Sequence, residues 1–311
     1  MLRMIFYTYN YLRLIYQDDY VKLKNKMIMR KRFIFLQMLL SLLIFTVIIS
    51  CTKKSENDNE LSADITSSAI DNVFSSNAYD DIMTEVDDVG IGKDLKFSTG
   101  ILCRERNRIT GKLEWPRIIE IVFDSAGCPG RSGRIKTGTI RITIDGPVPF
   151  NLWAEGTTRT VELINFTVNG NKVEGTKTIV CQGLNEEKNP YWDVTLKNGK
   201  ITFKDGNYIT REFKHTRVLY SGFDSTFNTI SYQLKIYGTG SGITRNGLAY
   251  TDTIVQPLIF ETGCRYIKAG QMKLTVEGLD PIYITFDNED CTGKGNIVID
   301  FETIKKSIEI E

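Results

Sequence analysis

The sequence of 311 residues predicts a mainly β protein whose strands form an antiparallel meander, either sandwich-like or a strongly curved sheet. Three observations favour this class. From residue 97 onward apolar and polar residues alternate, as at Ile140, Ile142 and Ile144, which is the period of strands with one buried face. Pairs such as Asn169-Gly170 accept the positive φ values of tight hairpin turns. No helical period interrupts this zone, so parallel βαβ units are not expected.

Two further glycine pairs predict turns within the β zone. Asn198-Gly199 and Asp205-Gly206 have the composition of two-residue hairpin loops. They stand so close together that the strand between them holds only about five residues, which is an ordinary strand length. Residues 93–311 are therefore predicted to form a single antiparallel β domain.

Residues 27–50 have the composition of a secretory signal peptide. The basic cluster Arg30-Lys31-Arg32 precedes a largely apolar run from Phe33 to Ile49, which contains only three polar residues. Cys51 follows directly, and this order resembles the bacterial lipobox, in which the cysteine thiol receives a diacylglycerol. The alternative is an uncleaved anchor, because the run is just long enough to cross a bilayer, for which roughly 20 apolar residues are needed. In either case the lipid bilayer is the first expected partner.

The neighbouring segments complete the N-terminal organisation. Residues 1–26 lack a coherent apolar block, and we interpret them as an over-extended gene start with Met27 or Met29 as the initiator. Residues 51–61 are short and polar and are interpreted as a flexible tether that carries the lipid. The expected location is the cell envelope. The outer membrane is favoured over the inner membrane, and the side that the protein faces is left open.

Residues 62–92 are predicted to form one or two acidic amphipathic helices. Ile65, Ala69 and Val73 recur with a spacing of four, and glycines end the segment. Residues 55–92 contain ten Asp and Glu residues and no Lys or Arg. We expect the apolar stripe to dock on the β domain and the acidic side chains to be solvated.

The composition is that of an ordinary globular domain and argues against nucleic acid as a partner. Apolar residues make up 41% of the chain and charged residues 25%. Residues 93–311 contain 29 basic and 26 acidic residues, without the strongly basic field that nucleic-acid binding requires. A protein or a glycan is left as the possible partner.

The cysteines indicate structural disulfides rather than metal or redox chemistry. Besides Cys51 the chain has five of them, at Cys103, Cys128, Cys181, Cys264 and Cys291. In an oxidising envelope pairs of these form disulfides, although their spacing does not fix the connectivity. Because CxxC spacing is absent and His215 is the single histidine, neither a metal site nor a cofactor is expected.

Several short segments together resemble uncharacterised lipoproteins of the Bacteroidetes. The resemblance spans most of residues 60 to 305 and rests on segments that begin at Cys128-Pro129, Val168-Asn169-Gly170, Thr244-Arg245-Asn246 and Cys264-Arg265-Tyr266. The chain departs from the pattern before Cys291, where relatives have a run more like Asp-Tyr-Gly. The resemblance implies an acidic helical leader, a β body and an envelope location, and it implies no activity.

Nearness within each β unit, together with this resemblance, predicts two disulfides. We expect Cys103 to pair with Cys128 and Cys264 with Cys291, because the lipoproteins that the chain resembles have cysteines at all four of these positions together. Cys181 is expected to stay unpaired as a small buried hydrophobe.

No motif of the β zone indicates a catalytic or cofactor-binding residue. The run Gly238-Thr239-Gly240-Ser241-Gly242 resembles a phosphate-cradling loop, but no helix follows it, and a hairpin turn is the better interpretation. His215 shares a strand face with Arg211 and Arg217 and is expected to be exposed.

Isolated acidic residues give little indication of a metal site or of a catalytic carboxylate pair. Asp287, Glu289 and Asp290 lack the order of a calcium loop and are interpreted as a charged turn. Glu162 and Glu174 are carboxylates that the sequence alone cannot pair.

A loose acceptor pattern for O-glycosylation recurs in the chain. Asp124-Ser125-Ala126 matches it, as do Asp224-Ser225-Thr226 and Asp252-Thr253-Ile254. Ser125 is the favoured acceptor, because it precedes Gly127 and is expected to lie in a loop with an exposed hydroxyl.

Two classes of function follow. The first is a non-catalytic envelope or surface module that binds a protein or a glycan or shapes the envelope. An exposed aromatic strip around Tyr191-Trp192 would favour it. The second is a glycan or cell-wall hydrolase, which needs two facing carboxylates roughly 5–10 Å apart. The sequence favours the first, because it carries no recognisable catalytic motif.

We predict that Cys51→Ala abolishes lipidation. The wild-type protein should incorporate labelled palmitate and partition into detergent, whereas the variant should accumulate as an unprocessed precursor, because the acyl acceptor is the cysteine thiol. Metabolic labelling and phase partitioning measure both properties. Equal palmitate incorporation by the variant would contradict the lipoprotein interpretation.

Overall fold

The computed structural model describes residues 63–90, 103–110, 115–130, 132–146, 154–222, 232–262, 264–288, 295–301 and 304–310. The segments predicted for residues 1–61 lie outside these ranges, as do Cys51, Asp224-Ser225-Thr226, Glu289, Asp290 and Cys291. The described residues belong to one compact unit, Glu60–Glu311.

The described chain consists of one helix followed by thirteen strands. The helix, α1, is Ala63–Gly90. The strands are β1 Arg104–Arg108, β2 Arg117–Pro129, β3 Ile135–Asp145, β4 Thr158–Val168, β5 Asn171–Leu184, β6 Pro190–Thr202, β7 Tyr208–Ser221, β8 Gln233–Ile243, β9 Ala249–Glu261, β10 Ala269–Val276, β11 Ile282–Asp287, β12 Gly295–Phe301 and β13 Ile304–Ile310.

The thirteen strands form a single open sheet in which spatial order follows sequence order from β1 to β13. Each strand pairs antiparallel with the next, for example Ile140 opposite Leu163 between β3 and β4. The predicted antiparallel meander is therefore confirmed, and the curved single sheet rather than a sandwich is its form. The alternation of apolar and polar residues with a period of two determines which face of the sheet is buried, because every second side chain of a strand points to the same face.

The glycine pairs separate into turns and one bulge. Asn169-Gly170 joins β4 to β5, with φ values of 50° and 79°, and Asp205-Gly206 lies between β6 and β7 as predicted. The turn predicted at Asn198-Gly199 is wrong, because β6 continues through it with a register shift. A Cβ on Gly199 would lie 2.2 Å from the carbonyl oxygen of Arg211, so glycine is needed there for close strand approach.

The run Gly238–Gly242 is neither a hairpin turn nor a phosphate loop, and both interpretations are corrected. It lies inside β8, and the turn to β9 follows at Thr244–Leu248, where the Gly247 amide donates to the Thr244 carbonyl at 3.0 Å. Alternate glycines of the run face inward. A Cβ on Gly240 would approach the Asp252 carboxylate to 2.6 Å, so the run makes room for polar side chains of the interior.

Most residues of helix α1 from Ile65 to Val86 are buried, although many of them are polar. The sheet curves around it far enough to bring the β2–β3 connection to the β9–β10 connection. There the guanidinium of Arg134 lies 5.4 Å from the centre of the Tyr266 ring. The apolar core lies between the helix and the inner face of the sheet.

The cysteines agree with the predicted pairing wherever the structure describes both partners. Cys103 and Cys128 form a disulfide that links the start of β1 to the end of β2, as predicted. Cys264 is also disulfide-bonded. Its pairing with Cys291 remains a prediction, because Cys291 is outside the described residues. Cys181 is free and buried, as expected.

We predict that the double variant Cys103→Ala with Cys128→Ala is less stable by about 3 kcal/mol, since a bond across 25 residues restricts the unfolded chain. Urea unfolding of the purified protein measures the difference, and Cys181→Ala serves as the control that removes a cysteine but no bond. A double variant as stable as the wild type would contradict this role.

Candidate functional site

The largest polar cluster of the described residues lies at the interface between α1 and the inner face of the sheet. Lys136 of β3 places its Nζ 3.0 Å from Asp81 and 2.6 Å from Glu85, both on α1. These three side chains are at most 2% exposed. Glu85 also binds Arg104 of β1. One helical turn of acidic residues is thus neutralised by two strands.

Three further ion pairs continue along the helix, each to a different part of the sheet. They are Asp71 with Arg245 in the β8–β9 turn at 2.6 Å, Asp80 with Arg217 of β7, and Asp87 with Arg159 of β4 at 2.8 Å. Asp87 also accepts a hydrogen bond from the Tyr232 hydroxyl at 2.8 Å. The acidic residues at positions 71, 80, 81, 85 and 87 of α1 therefore all meet a cation of the sheet.

Another buried ion pair joins strands β7 and β9 to helix α1. Arg211 of β7 lies 3.1 Å from Asp252 of β9, and both side chains are at most 1% exposed. The side-chain amide of Asn72 donates to the same carboxylate at 2.9 Å. Asp252 sits beneath Gly240, so the glycine run of β8 and the buried ion pair depend on each other.

The expectation of a solvated acidic helix is wrong. The spacing of its apolar residues identified the side that packs on the sheet but gave no sign that the acidic side would be covered too. The covering becomes possible because the sheet supplies cations on its inner face, and a buried charge needs such a partner.

Lys177 of β5 has a different environment from the paired cations. Its Nζ donates to the main-chain carbonyl of Tyr79 at 2.6 Å, and the Tyr79 hydroxyl donates to the Glu174 carbonyl at 2.7 Å. Burial, followed by the nearby Arg217, lowers the pKa of Lys177 to about 7. Burial also raises the pKa of Tyr79.

His215 is buried, which corrects the expectation of exposure. Its alternation with Arg211 and Arg217 is as predicted, but the shared face is the inner one. The imidazole is stacked on Phe213 with ring centres 4.1 Å apart. Burial, with the neighbouring charges of Arg211, Arg217 and Lys177, holds the pKa of His215 well below its ordinary value. It is placed in the core as a neutral ring.

The outer face of β5 to β10 carries a row of hydroxyl and ammonium groups. Residues directly opposite one another across these strands are Thr178, Thr195, Lys214, Thr239, Thr253 and Lys273. A depression of about 490 Å³ opens over the centre of this row. Its lining also includes Lys197, Glu212 and Phe213. The arrangement offers donors and acceptors on a rigid surface.

A second outer depression, of about 430 Å³, brings Glu162 and Glu174 together with Arg141. The sequence could not pair these carboxylates, because they belong to different strands and meet through the β4–β5 hairpin. Glu174 also binds Lys172 at 2.6 Å, and both side chains are well exposed. Among the described residues, this depression is the one place where two of the carboxylates singled out in the sequence lie on the same surface.

Other sequence candidates are dispersed. Ser125 is exposed in an irregular part of β2, between Phe123 and Cys128, rather than in a loop. Its glycosylation stays a prediction. Trp192 is 8% exposed and belongs to the core, so an aromatic strip around Tyr191-Trp192 is not formed. Asp287 ends β11.

The described residues offer neither a metal-binding cluster nor a membrane-spanning helix. Within them, no group of three or more His, Cys, Asp and Glu side chains could hold a metal ion. In the same part of the chain, no helix is both long and apolar enough to cross a bilayer.

Comparisons with protein-family models, with curated proteins and with solved structures find no match to this chain.

We predict that Asp252→Asn destabilises the protein by about 3–5 kcal/mol, because Arg211 would keep a buried charge without its partner. Urea unfolding measures the change. Lys305→Gln is the matched control, since its pair with Asp300 leaves the lysine 72% exposed. The control should cost less than about 1 kcal/mol. Equal losses for the two variants would contradict the role of the buried pair.

We predict that stability rises with pH above neutrality because of Lys177. Its pKa is about 7 in the folded protein and 10.5 ordinarily. Between these values the unfolded chain binds more protons than the folded one, so the free energy of unfolding increases as the pH rises from about 7 toward 10.5. Urea midpoints at a series of pH values should show this rise in the wild type and a flatter profile in Lys177→Met. Identical profiles would contradict the assignment.

Proposed function

We propose that the protein is a lipid-anchored lipoprotein of the bacterial envelope, held in the membrane by Cys51, and that it acts as a non-catalytic binding module. The favoured location is the outer membrane. The order of basic cluster, apolar run and cysteine supports the anchor, as does the resemblance to lipoproteins of the Bacteroidetes.

The observation that carries the binding role is the occupation of the inner face by the protein's own helix. The polar side chains of that face are engaged with α1, as in the pairs of Lys136 and Arg217, and are closed to a large ligand. The outer face is left for a partner. Its hydroxyl and ammonium row, over β5 to β10, has the hydrogen-bonding groups that suit a glycan.

The depression on β6 to β9 is the part of this row best suited to hold a sugar. Its lining includes the outward-facing Thr195, Lys214 and Thr239, whereas Phe213 and Leu196, which also border it, have their side chains buried on the inner face of the sheet. A concave surface with a small number of fixed polar groups can orient a ligand by hydrogen bonding, and these groups match the hydroxyls of a sugar. The sheet beneath is rigid because each strand is paired on both sides.

Binding can be tested by co-sedimentation of the purified protein with peptidoglycan sacculi and with insoluble polysaccharides. We expect the wild type to be retained by one of these polymers and Lys214→Ala with Thr239→Val to lose most of the retention. Lys235→Ala is the control. Lys235 lies on β8, as Thr239 does, but its ammonium group packs over the Tyr220 ring, outside the depression. No retention of the wild type, or equal retention of the variant, would overturn the glycan role.

The second candidate function is hydrolysis of a glycan or of cell-wall polymer, and the meeting of Glu162 with Glu174 favours it. A pair of carboxylates can supply the acid and the base or nucleophile of such a reaction. Release of reducing ends from the same polymers tests it. A hydrolase would lose this activity in both Glu162→Gln and Glu174→Gln, whereas the absence of activity in the wild type on all of these polymers would reject this candidate for them.

A further inference from the structure

The inner face of β7 concentrates basic side chains. Arg211, His215 and Arg217 alternate along it, with Phe213 between the first two, and Lys177 of β5 lies 5.6 Å from the centre of the Phe213 ring. Each of the four nitrogen-bearing side chains belongs to a residue that is no more than 9% exposed. Arg211, Arg217 and protonated Lys177 are cations, and buried cations need negative charge nearby.

The carboxylates that face this cluster are fewer than its cations. Arg211 is paired with Asp252 at 3.1 Å, and Arg217 is paired with Asp80. Lys177 donates to a neutral carbonyl, that of Tyr79. Of the acidic residues that follow Asp80 on α1, Asp81 and Glu85 are engaged by Lys136, and Asp87 is engaged by Arg159 at 2.8 Å. When Lys177 is protonated, one positive charge is left without a carboxylate of its own.

Hydrogen-bond donors in the cluster are also incompletely used. Within the described residues, no protein atom accepts from Nε or Nη1 of Arg217, and neither ring nitrogen of His215 has a hydrogen-bond partner. A buried donor without an acceptor costs about 1–3 kcal/mol. Native proteins satisfy nearly all such groups with protein, water or an ion. Here the unsatisfied groups lie beside an excess of positive charge.

We infer that a small monovalent anion of the chloride class binds inside the protein beside His215 and Arg217. Arg217 supplies Nε–H and Nη1–H, the neutral imidazole supplies its single N–H, and the Lys177 ammonium supplies its remaining N–H groups. The enclosure of all three side chains restricts the ligand to a small ion. This site is independent of the proposed outer-face function.

The first test is anomalous diffraction from protein unfolded and refolded in sodium bromide, so that bromide is present when the sheet closes around α1. We expect an anomalous peak in hydrogen-bonding contact with Arg217 and His215. Density that fits only an ordered water, with no anomalous signal there, would overturn the inference.

The second test measures urea unfolding in sodium chloride and in sodium gluconate at constant ionic strength. For one anion bound to the folded state, the unfolding equilibrium constant should fall up to about tenfold for each tenfold rise in chloride above the dissociation constant. The double variant Arg217→Met with Asp80→Asn removes the donors together with their carboxylate and so avoids leaving a buried charge. It should lose the chloride dependence.

Arg245→Met with Asp71→Asn is the matched control, because it removes another helix–sheet ion pair and leaves the cluster of β7 intact. It should keep the full chloride dependence. Stability of the wild type that is equal in chloride and gluconate, or a chloride effect of the same size in both double variants, would overturn the inference.

Discussion

The structure depends on the pairing of buried charges between helix α1 and the inner face of the sheet. Each carboxylate of α1 from Asp71 to Asp87 reaches a lysine or arginine of the meander, and together these cations come from several of its strands and turns. Removal of one partner from such a pair is strongly destabilising, because the other charge stays buried. Helix α1 and the inner face of the sheet therefore depend on each other, because each supplies the partners of the other's buried charges.

This requirement also shapes the sheet. A helix that is polar on most sides needs space for side chains and their partners, and glycines of β8 provide it where Asp252 and Tyr250 reach inward. Bulges such as the one at Asn198 let long strands bend around the helix. The outer depression over Phe213 lies on the same strands, so the curvature that encloses the helix also forms the surface that we propose for binding.

Much of the fold follows from the sequence, because alternation with a period of two identifies strands and their neighbours. The errors have physical causes. Asn-Gly pairs accept positive φ in bulges as well as in turns, so Asn169 and Asn198 look alike in the sequence but differ in the sheet. Alternation showed that His215 shares a face with two arginines, yet it does not say which face is buried. Three basic residues on one face of a strand ordinarily indicate that the face is exposed to solvent. Here the face is buried because the acidic helix α1 packs against it.

The distances along the chain between helix and strand partners have a consequence for folding. Neighbouring strands of the meander can pair as each is made, whereas Asn72 waits for Asp252, which lies 180 residues later. Contacts of such long sequence separation slow folding. During that interval the inner face of the growing sheet carries exposed lysines and arginines, and the waiting helix segment carries carboxylates. We therefore expect the charges that are costly to bury at the end to oppose self-association of the incomplete sheet, because the inner faces of two such sheets carry like charge and repel each other.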